Sequence, residues 1–132
     1  MKEILDFLAA SPAFHVATVD ENNQPRVRPF SLAFEWEGKL TFGTNTTKKV
    51  YRQLVVNPYV EISSFSHTTG QWMRISGKVK LFQSKEANHR IFETMPSLKD
   101  MYGPDEDNPI MVCFSIEEGQ AATYDCSSLN QP

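Results

Sequence analysis

Two adjacent lysines, Lys48 and Lys49, follow four residues with hydrogen-bonding side chains, Thr44, Asn45, Thr46 and Thr47. The run joins a strand pattern to a helix pattern. Leu40, Phe42 and Thr44 alternate with Lys39, Thr41 and Gly43, as in a half-buried strand. The stretch 46–57 then reads as a helix, with Asn45, Thr46 and Thr47 all able to cap it. Val50 and Leu54 are four apart, as are Tyr51 and Val55, so both pairs are expected on a buried face. Asn57-Pro58 ends the helix, because the residue before proline avoids the helical region. Lysines in a first turn oppose the positive end of the helix dipole. An anion removes that conflict, since free backbone N–H groups, hydroxyls and two ammonium groups converge on it, and this is the chemistry of phosphate binding. The competing reading is a solvated turn that carries two lysines and binds nothing.

Other residues invite weaker readings. Arg26 and Arg28 share one face of a strand start, either as a charged end in water or as guanidiniums facing a hydrogen-bonding ligand laid along the strand. Trp72 and Arg74 lie opposite the apolar row Met73, Ile75, Val79 and Leu81. A tryptophan there is a partner surface, a stacking wall for a flat ring, or a side chain under a loop. His15, His67 and His89 have no metal-ligand spacing with each other or with the two cysteines. His15 alternates with core residues and is expected to be packed. No Gly-x-Ser-x-Gly, Walker loop or Gly-x-Gly-x-x-Gly occurs, and the carboxylates fall mostly at turns, so no catalytic acid or base is assigned.

The elements that must position these groups follow from periodicity and turn chemistry. Residues 2–10 read as an amphipathic helix and 14–20 as a strand with Phe14, Val16 and Thr18 on one side. A polar turn at 21–25 leads into a long strand, 26–36, and Glu37-Gly38 leads into the strand that precedes Lys48. These three strands are expected to form an antiparallel meander. Beyond the helix, strands are expected at 59–66 and 71–82, with Gly77 marking a bulge or a close backbone approach. Ser84 caps a helix to about 94. Residues 95–109 read as a long acidic loop with Asp105, Glu106 and Asp107. A strand at 110–117 completes about six strands and three helices, and a further short strand can follow at 121–124. Hairpin-linked strands favour a mainly β (α+β) fold, an antiparallel β-barrel with short flanking helices.

The chain has 132 residues, a net charge of −3, 40% hydrophobic and 22% charged residues. This is the size and balance of one soluble domain, 1–132. The acidic balance disfavours nucleic acid as a partner. No apolar run approaches membrane-spanning length, and no secretory signal is read at the start, so no membrane is expected and the cytoplasm is the expected location. Cys113 and Cys126 are expected to be reduced thiols.

In this order and at these spacings, three segments resemble the FMN-binding split barrels of the pyridoxamine 5′-phosphate oxidase-like family. FHVATVDENNQPRVRPF is similar to that family's first hairpin, LTFGTNTTKKVYRQLVVNPYVEI to its Thr-rich turn and basic helix start, and WMRISGKVKLF to its glycine-bearing strand. The resemblance implies a six-stranded split barrel that binds FMN as a homodimer, with the flavin at the interface. It implies Arg28, Pro29, Phe30 and Ser31 along the isoalloxazine, Thr44, Lys48 and Lys49 on the phosphate with Asn45 close by, and Trp72 approaching from the second subunit. The family usually places arginine where this chain has lysine at the phosphate, which exchanges a bidentate fork for a point charge. The final residues ATYDCSSLNQP contain neither the tryptophan nor the arginine that the true oxidases carry in their C-terminal segment. The chain therefore resembles the small general stress and nitroimidazole-resistance-like members. The function this implies is an oxidoreductase passing electrons from a reduced nicotinamide or similar small-molecule donor to a small acceptor. The alternatives are a non-catalytic flavin or haem binder and a cofactor-free β-barrel interaction module.

Overall fold

The computed structural model describes residues 1–103, 106–127 and 129. Four helices and seven strands follow one another as α1 (Lys2–Ala9), β1 (Phe14–Val19), β2 (Pro25–Phe30), β3 (Phe34–Trp36), β4 (Lys39–Asn45), α2 (Lys49–Val56), β5 (Tyr59–Phe65), β6 (Gln71–Phe82), α3 (Lys85–Thr94), α4 (Leu98–Tyr102) and β7 (Met111–Asp125). All strands join one antiparallel sheet in the order β2-β1-β5-β6-β7-β4-β3. The fold is the mainly β, split-barrel type expected, with seven strands in place of six.

The extra strand comes from the expected strand 26–36, which is broken. Residues 25–30 pair with β1 until Phe30 meets Phe14, where β1 begins and the partner runs out. The chain then leaves the ladder and pairs with β4 from Phe34 on. The expected three-stranded meander is therefore two separate hairpins. β2 and β3 are consecutive in sequence yet lie at opposite ends of the strand order. A three-residue link between the two outermost strands forces the sheet to curl until its edges approach, without the hydrogen bonds that would close it. Pro25 and Pro29 fit this arrangement, because β2 pairs on one side alone and proline has no N–H for a second ladder.

The curled sheet encloses Phe14, Phe30, Phe42 and Phe114. Phe42 stacks on Phe114 at 5.0 Å between ring centroids, and Phe30 meets Phe114 edge-on at 5.8 Å. Rings in this offset and edge-to-face geometry add to what their burial contributes. Val50 and Leu54 of α2 join this core, as expected, but Val55 is 57% exposed. The apolar stripe of so short a helix is narrow, and Gln53 takes the third inward position. A second cluster, Phe34, Ala87, Ile91, Phe92, Met111 and Cys113, packs α3 against the outside of β4 and β7.

Two glycines bring elements closer than a side chain would permit. A Cβ on Gly77 would lie 2.4 Å from the carbonyl oxygen of Glu118 and 2.8 Å from Cα of Gly119. There β6 and β7 bulge past each other between Lys78 and Val79, so the sequence expectation for Gly77 holds. A Cβ on Gly43 would lie 2.8 Å from Cδ1 of Ile91, and the bare backbone lets α3 lie close on β4. β7 runs unbroken through 121–124, where a separate short strand was expected, because it follows β6 along its whole length. The expected loop at 95–109 contains α4. Asp105 lies outside the described residues.

Candidate functional site

The short helix α2 starts without a side-chain cap. Asn45, Thr46 and Thr47 were each able to supply one. Asn45 instead turns its Oδ1 to Thr47, accepting from the backbone N–H at 3.0 Å and from Oγ1 at 2.5 Å. Its amide nitrogen donates to Tyr102 Oη at 2.7 Å. The N–H groups at the helix start are thus left without a side-chain acceptor, and no acidic residue lies in the first turn. Such an end favours an anion through both its donors and its dipole.

Beside it lies a cavity of about 210 Å³. Arg28, Pro29 and Phe30 from the end of β2, Ser31 just after it, Thr44 from β4 and Lys48 at the α2 N-cap all line it. Ile91 of α3, Met95 after it, Leu98, Met101 and Tyr102 of α4 and Met111 of β7 also line it. Thr44 is 6% exposed, and its hydroxyl has no hydrogen-bond partner. A buried hydroxyl without a partner is costly, and a ligand in the cavity would relieve it.

Arg28 is held by neutral acceptors. Nη1 donates to Thr18 Oγ1 at 2.7 Å and to the Val16 carbonyl at 3.2 Å, while Nη2 donates to Gln53 Oε1 at 2.7 Å. No carboxylate pairs with it among the described residues. Burial pushes its pKa down, yet a guanidinium keeps its proton. The result is a fixed, half-buried positive charge with no counter-charge. Arg26, by contrast, is neutralised by Asp20 at 2.8 Å. Asp20 is held below the usual carboxylate range, first by the backbone N–H of Gln24 and also by Arg26.

The structure thus brings six of the nine expected site residues to one cavity. Lys49 faces a neighbouring groove lined by Arg26, Arg28 and Arg52 and also by Asp20 and Glu21, and Arg28 borders both spaces. Asn45 shapes the turn beneath. Trp72 stands apart on the outer face of β6, its ring 4.8 Å from that of Tyr124 and 5.9 Å from the guanidinium of Arg74. His15, expected to be packed, is exposed on the outer face of β1. Cys113 is buried, Cys126 is exposed, and they form no disulfide. Sequence reasoning missed Gln53, Thr18 and the wall from α3 and α4. Gln53 was the findable one, as a polar residue on the stripe of Val50 and Leu54. No described helix is long and apolar enough to cross a membrane.

The family model described as Pyridoxamine 5′-phosphate oxidase matches residues 1–120. A pyridoxine/pyridoxamine 5′-phosphate oxidase of Mannheimia succiniciproducens is 33% identical over 84 residues, 64% of this chain and 39% of that enzyme. The chain therefore spans well under half the length of the curated relative it matches. Among solved structures, a NimC/NimA family protein of Clostridium acetobutylicum is 40% identical, with a TM-score of 0.86 over 96% of this chain and 88% of the other. General Stress Protein 26 of Bacillus anthracis shares the fold at a TM-score of 0.70 and 15% identity, over 94% and 97% of the two chains.

Proposed function

The chain belongs to the pyridoxamine 5′-phosphate oxidase-like family, and from that premise we propose that it is an FMN-binding flavoprotein. In this reading it acts as a homodimer and passes electrons from a reduced nicotinamide or similar donor to a small acceptor. The observation that carries the reading is the buried, partnerless hydroxyl of Thr44, on the same cavity wall as Lys48 at the uncapped start of α2. A phosphate satisfies that hydroxyl, the ammonium group and the free N–H groups together. Arg28 adds a positive charge with no partner of its own sign-compensating kind, and Lys49 adds one from the adjoining groove.

FMN fits this donor set. Its phosphate would be held by Thr44 and Lys48, with Lys49 adding charge from the adjoining groove and Asn45 shaping the turn, and its ring by the segment Arg28, Pro29, Phe30 and Ser31. When bound, the flavin supplies the electron-carrying chemistry. The chain supplies the anchor, the ring seat and the wall that limits access. In this reading one protomer seats part of the ligand, and a second copy completes the seat. In this reading Trp72, remote from the cavity within one chain, reaches the flavin from the second protomer.

Titration of the protein with FMN and with riboflavin, followed by flavin fluorescence, tests the reading. FMN is expected to bind much more tightly than riboflavin, and added salt is expected to weaken FMN the more. Equal affinities would remove the phosphate anchor from the proposal, and a monomer that still holds flavin would remove the shared seat.

A further inference from the structure

The lining of the cavity has two characters. Arg28, Ser31, Thr44 and Lys48 bring cations and hydroxyls. Most of the rest is apolar and rich in thioethers, with Met95, Met101 and Met111 beside Ile91, Leu98 and Phe30. No carboxylate and no histidine lines the cavity among the described residues. With a phosphate held at Thr44 and Lys48, what remains exposed to a second ligand is mainly this apolar wall.

The wall is held in place deliberately. No residue of α4 is fully buried, but Leu98 and Tyr102 pack against the cluster of Ile91 and Phe92. Two hydrogen bonds add to that packing: Asn45 Nδ2 donates to Tyr102 Oη at 2.7 Å, and Asn108 Nδ2 donates to the Tyr102 carbonyl at 3.0 Å. The direction of the first bond follows from its neighbour. Asn45 Oδ1 accepts from the Thr47 backbone N–H, which can only donate, so the amide nitrogen must face Tyr102. The residue before Tyr102 is Met101, which lines the cavity and is also 71% exposed. It therefore stands at the mouth. An unbranched thioether adapts to varied shapes and makes favourable contacts with ring edges.

We propose that Met101 is a specificity-determining residue. With Met95 and Leu98 it contacts a flat, uncharged ring that enters beside the bound flavin. The adaptable side chains make the site tolerant of the ring's outline and intolerant of charge at the mouth. The inference rests on the flavin reading above.

The test uses FMN-loaded protein titrated with menadione, a flat uncharged quinone, in the absence of reductant, with the visible spectrum of the flavin as readout. The parent is expected to show a saturable perturbation. Met101→Lys is expected to weaken menadione about tenfold or more, and Met101→Leu is expected to keep it within about threefold, because shape and apolarity are retained. Met101→Leu is expected to bind FMN within about twofold of the parent, and Met101→Lys to bind it no more weakly, because the added cation attracts the phosphate. No saturable response in the parent, or unchanged menadione affinity in Met101→Lys, overturns the proposal. FMN affinity falling in step with menadione also overturns it, because Met101 would then serve the flavin seat itself. A parent that takes up no FMN is seen before menadione is added, and it removes the flavin reading and this inference together.

Discussion

Arg28 Nη2 and Gln53 Oε1 lie 2.7 Å apart, and the same oxygen accepts from Thr18 Oγ1 at 2.5 Å. One buried amide oxygen thus joins the edge strand β2, its neighbour β1 and the helix α2. This bond aims a guanidinium along the cavity margin without neutralising it. Replacing Gln53 with methionine keeps volume and removes the acceptor. A hydrogen bond to a charged group is worth roughly 1.5–3 kcal/mol, so Gln53→Met is expected to lower stability by about that amount. Arg28→Met combined with Gln53→Met is expected to cost less than the sum of the two single changes, because the groups are coupled. Urea unfolding of all four proteins measures the coupling. Strict additivity would mean that Gln53 does not hold Arg28.

Gly77 and Gly43 separate backbone crowding from side-chain crowding. At Gly77 the nearest atoms to an added Cβ are the Glu118 carbonyl oxygen and the Gly119 Cα, and neither can rotate away. Gly77→Ala is expected to destabilise by roughly 1–3 kcal/mol, the usual range for overpacking. At Gly43 the contact is Cδ1 of Ile91, the far end of a flexible side chain, and Gly43→Ala is expected to cost less. Thermal melts of the two variants rank them, and the reverse order would contradict the close approach at the β6–β7 bulge.

The strand faces were legible because alternation survives burial on one side: Phe14, Val16 and Thr18 in β1 and Met73, Ile75 and Val79 in β6 all point inward as read. The Ser84 cap was legible for a similar reason, since its hydroxyl accepts the Ala87 N–H at 3.1 Å through strictly local geometry. The break at 31–33 was not legible. It depends on where β1 ends as a partner, and apolar alternation runs through Phe30, Leu32, Phe34 and Trp36 without a turn residue. Lys48 and Lys49 read as one pair, but consecutive residues at a helix start point in different directions, and the two line different spaces. His15 was misread because its strand has a core on one face and an exposed surface on the other. α4 was missed because it is only five residues long, too short for Leu98, Met101 and Tyr102 to establish a period.

His89 sits between two carboxylates, bonded through Nε2 to Glu93 at 2.5 Å and through Nδ1 to Glu106. Its pKa is raised, first by the hydrogen bond it donates to Glu106 and then by that residue's charge. A group whose folded pKa lies above the unfolded value contributes stability that is fully present below the unfolded pKa, about 6.5, and lost as pH rises through the folded value. The tie between α3 and Glu106 is therefore expected to be firmest in mild acid and to loosen above neutrality. Amide exchange around residues 106–111 is expected to quicken from pH 6 to pH 9, after correction for intrinsic rates, more in the parent than in His89→Gln. Equal pH dependence in the two proteins would remove His89 from this tie.

Lys48 and Lys49 are separable by experiment because they border different spaces. Lys48 lines the cavity with the partnerless Thr44 hydroxyl, and Lys49 lines the groove with Arg26, Arg28 and Arg52. A phosphate seated by Thr44 lies on the Lys48 side. A charge-assisted bond to an anion contributes roughly 1.5–3 kcal/mol, so Lys48→Ala is expected to weaken FMN by about one to two powers of ten. Lys49→Ala is expected to weaken it less, through longer-range attraction that salt screens within about 10 Å. Riboflavin binding is expected to change little in either. Thr44→Val, which keeps the shape and removes the hydroxyl, is expected to weaken FMN and to leave the unliganded fold as stable or more so, because it removes an unsatisfied buried group. Fluorescence titrations with both flavins, paired with melts of the flavin-free proteins, distinguish these outcomes. A larger loss in Lys49→Ala than in Lys48→Ala, with Thr44→Val neutral toward FMN, would move the phosphate out of the cavity and into the basic groove beyond Arg28.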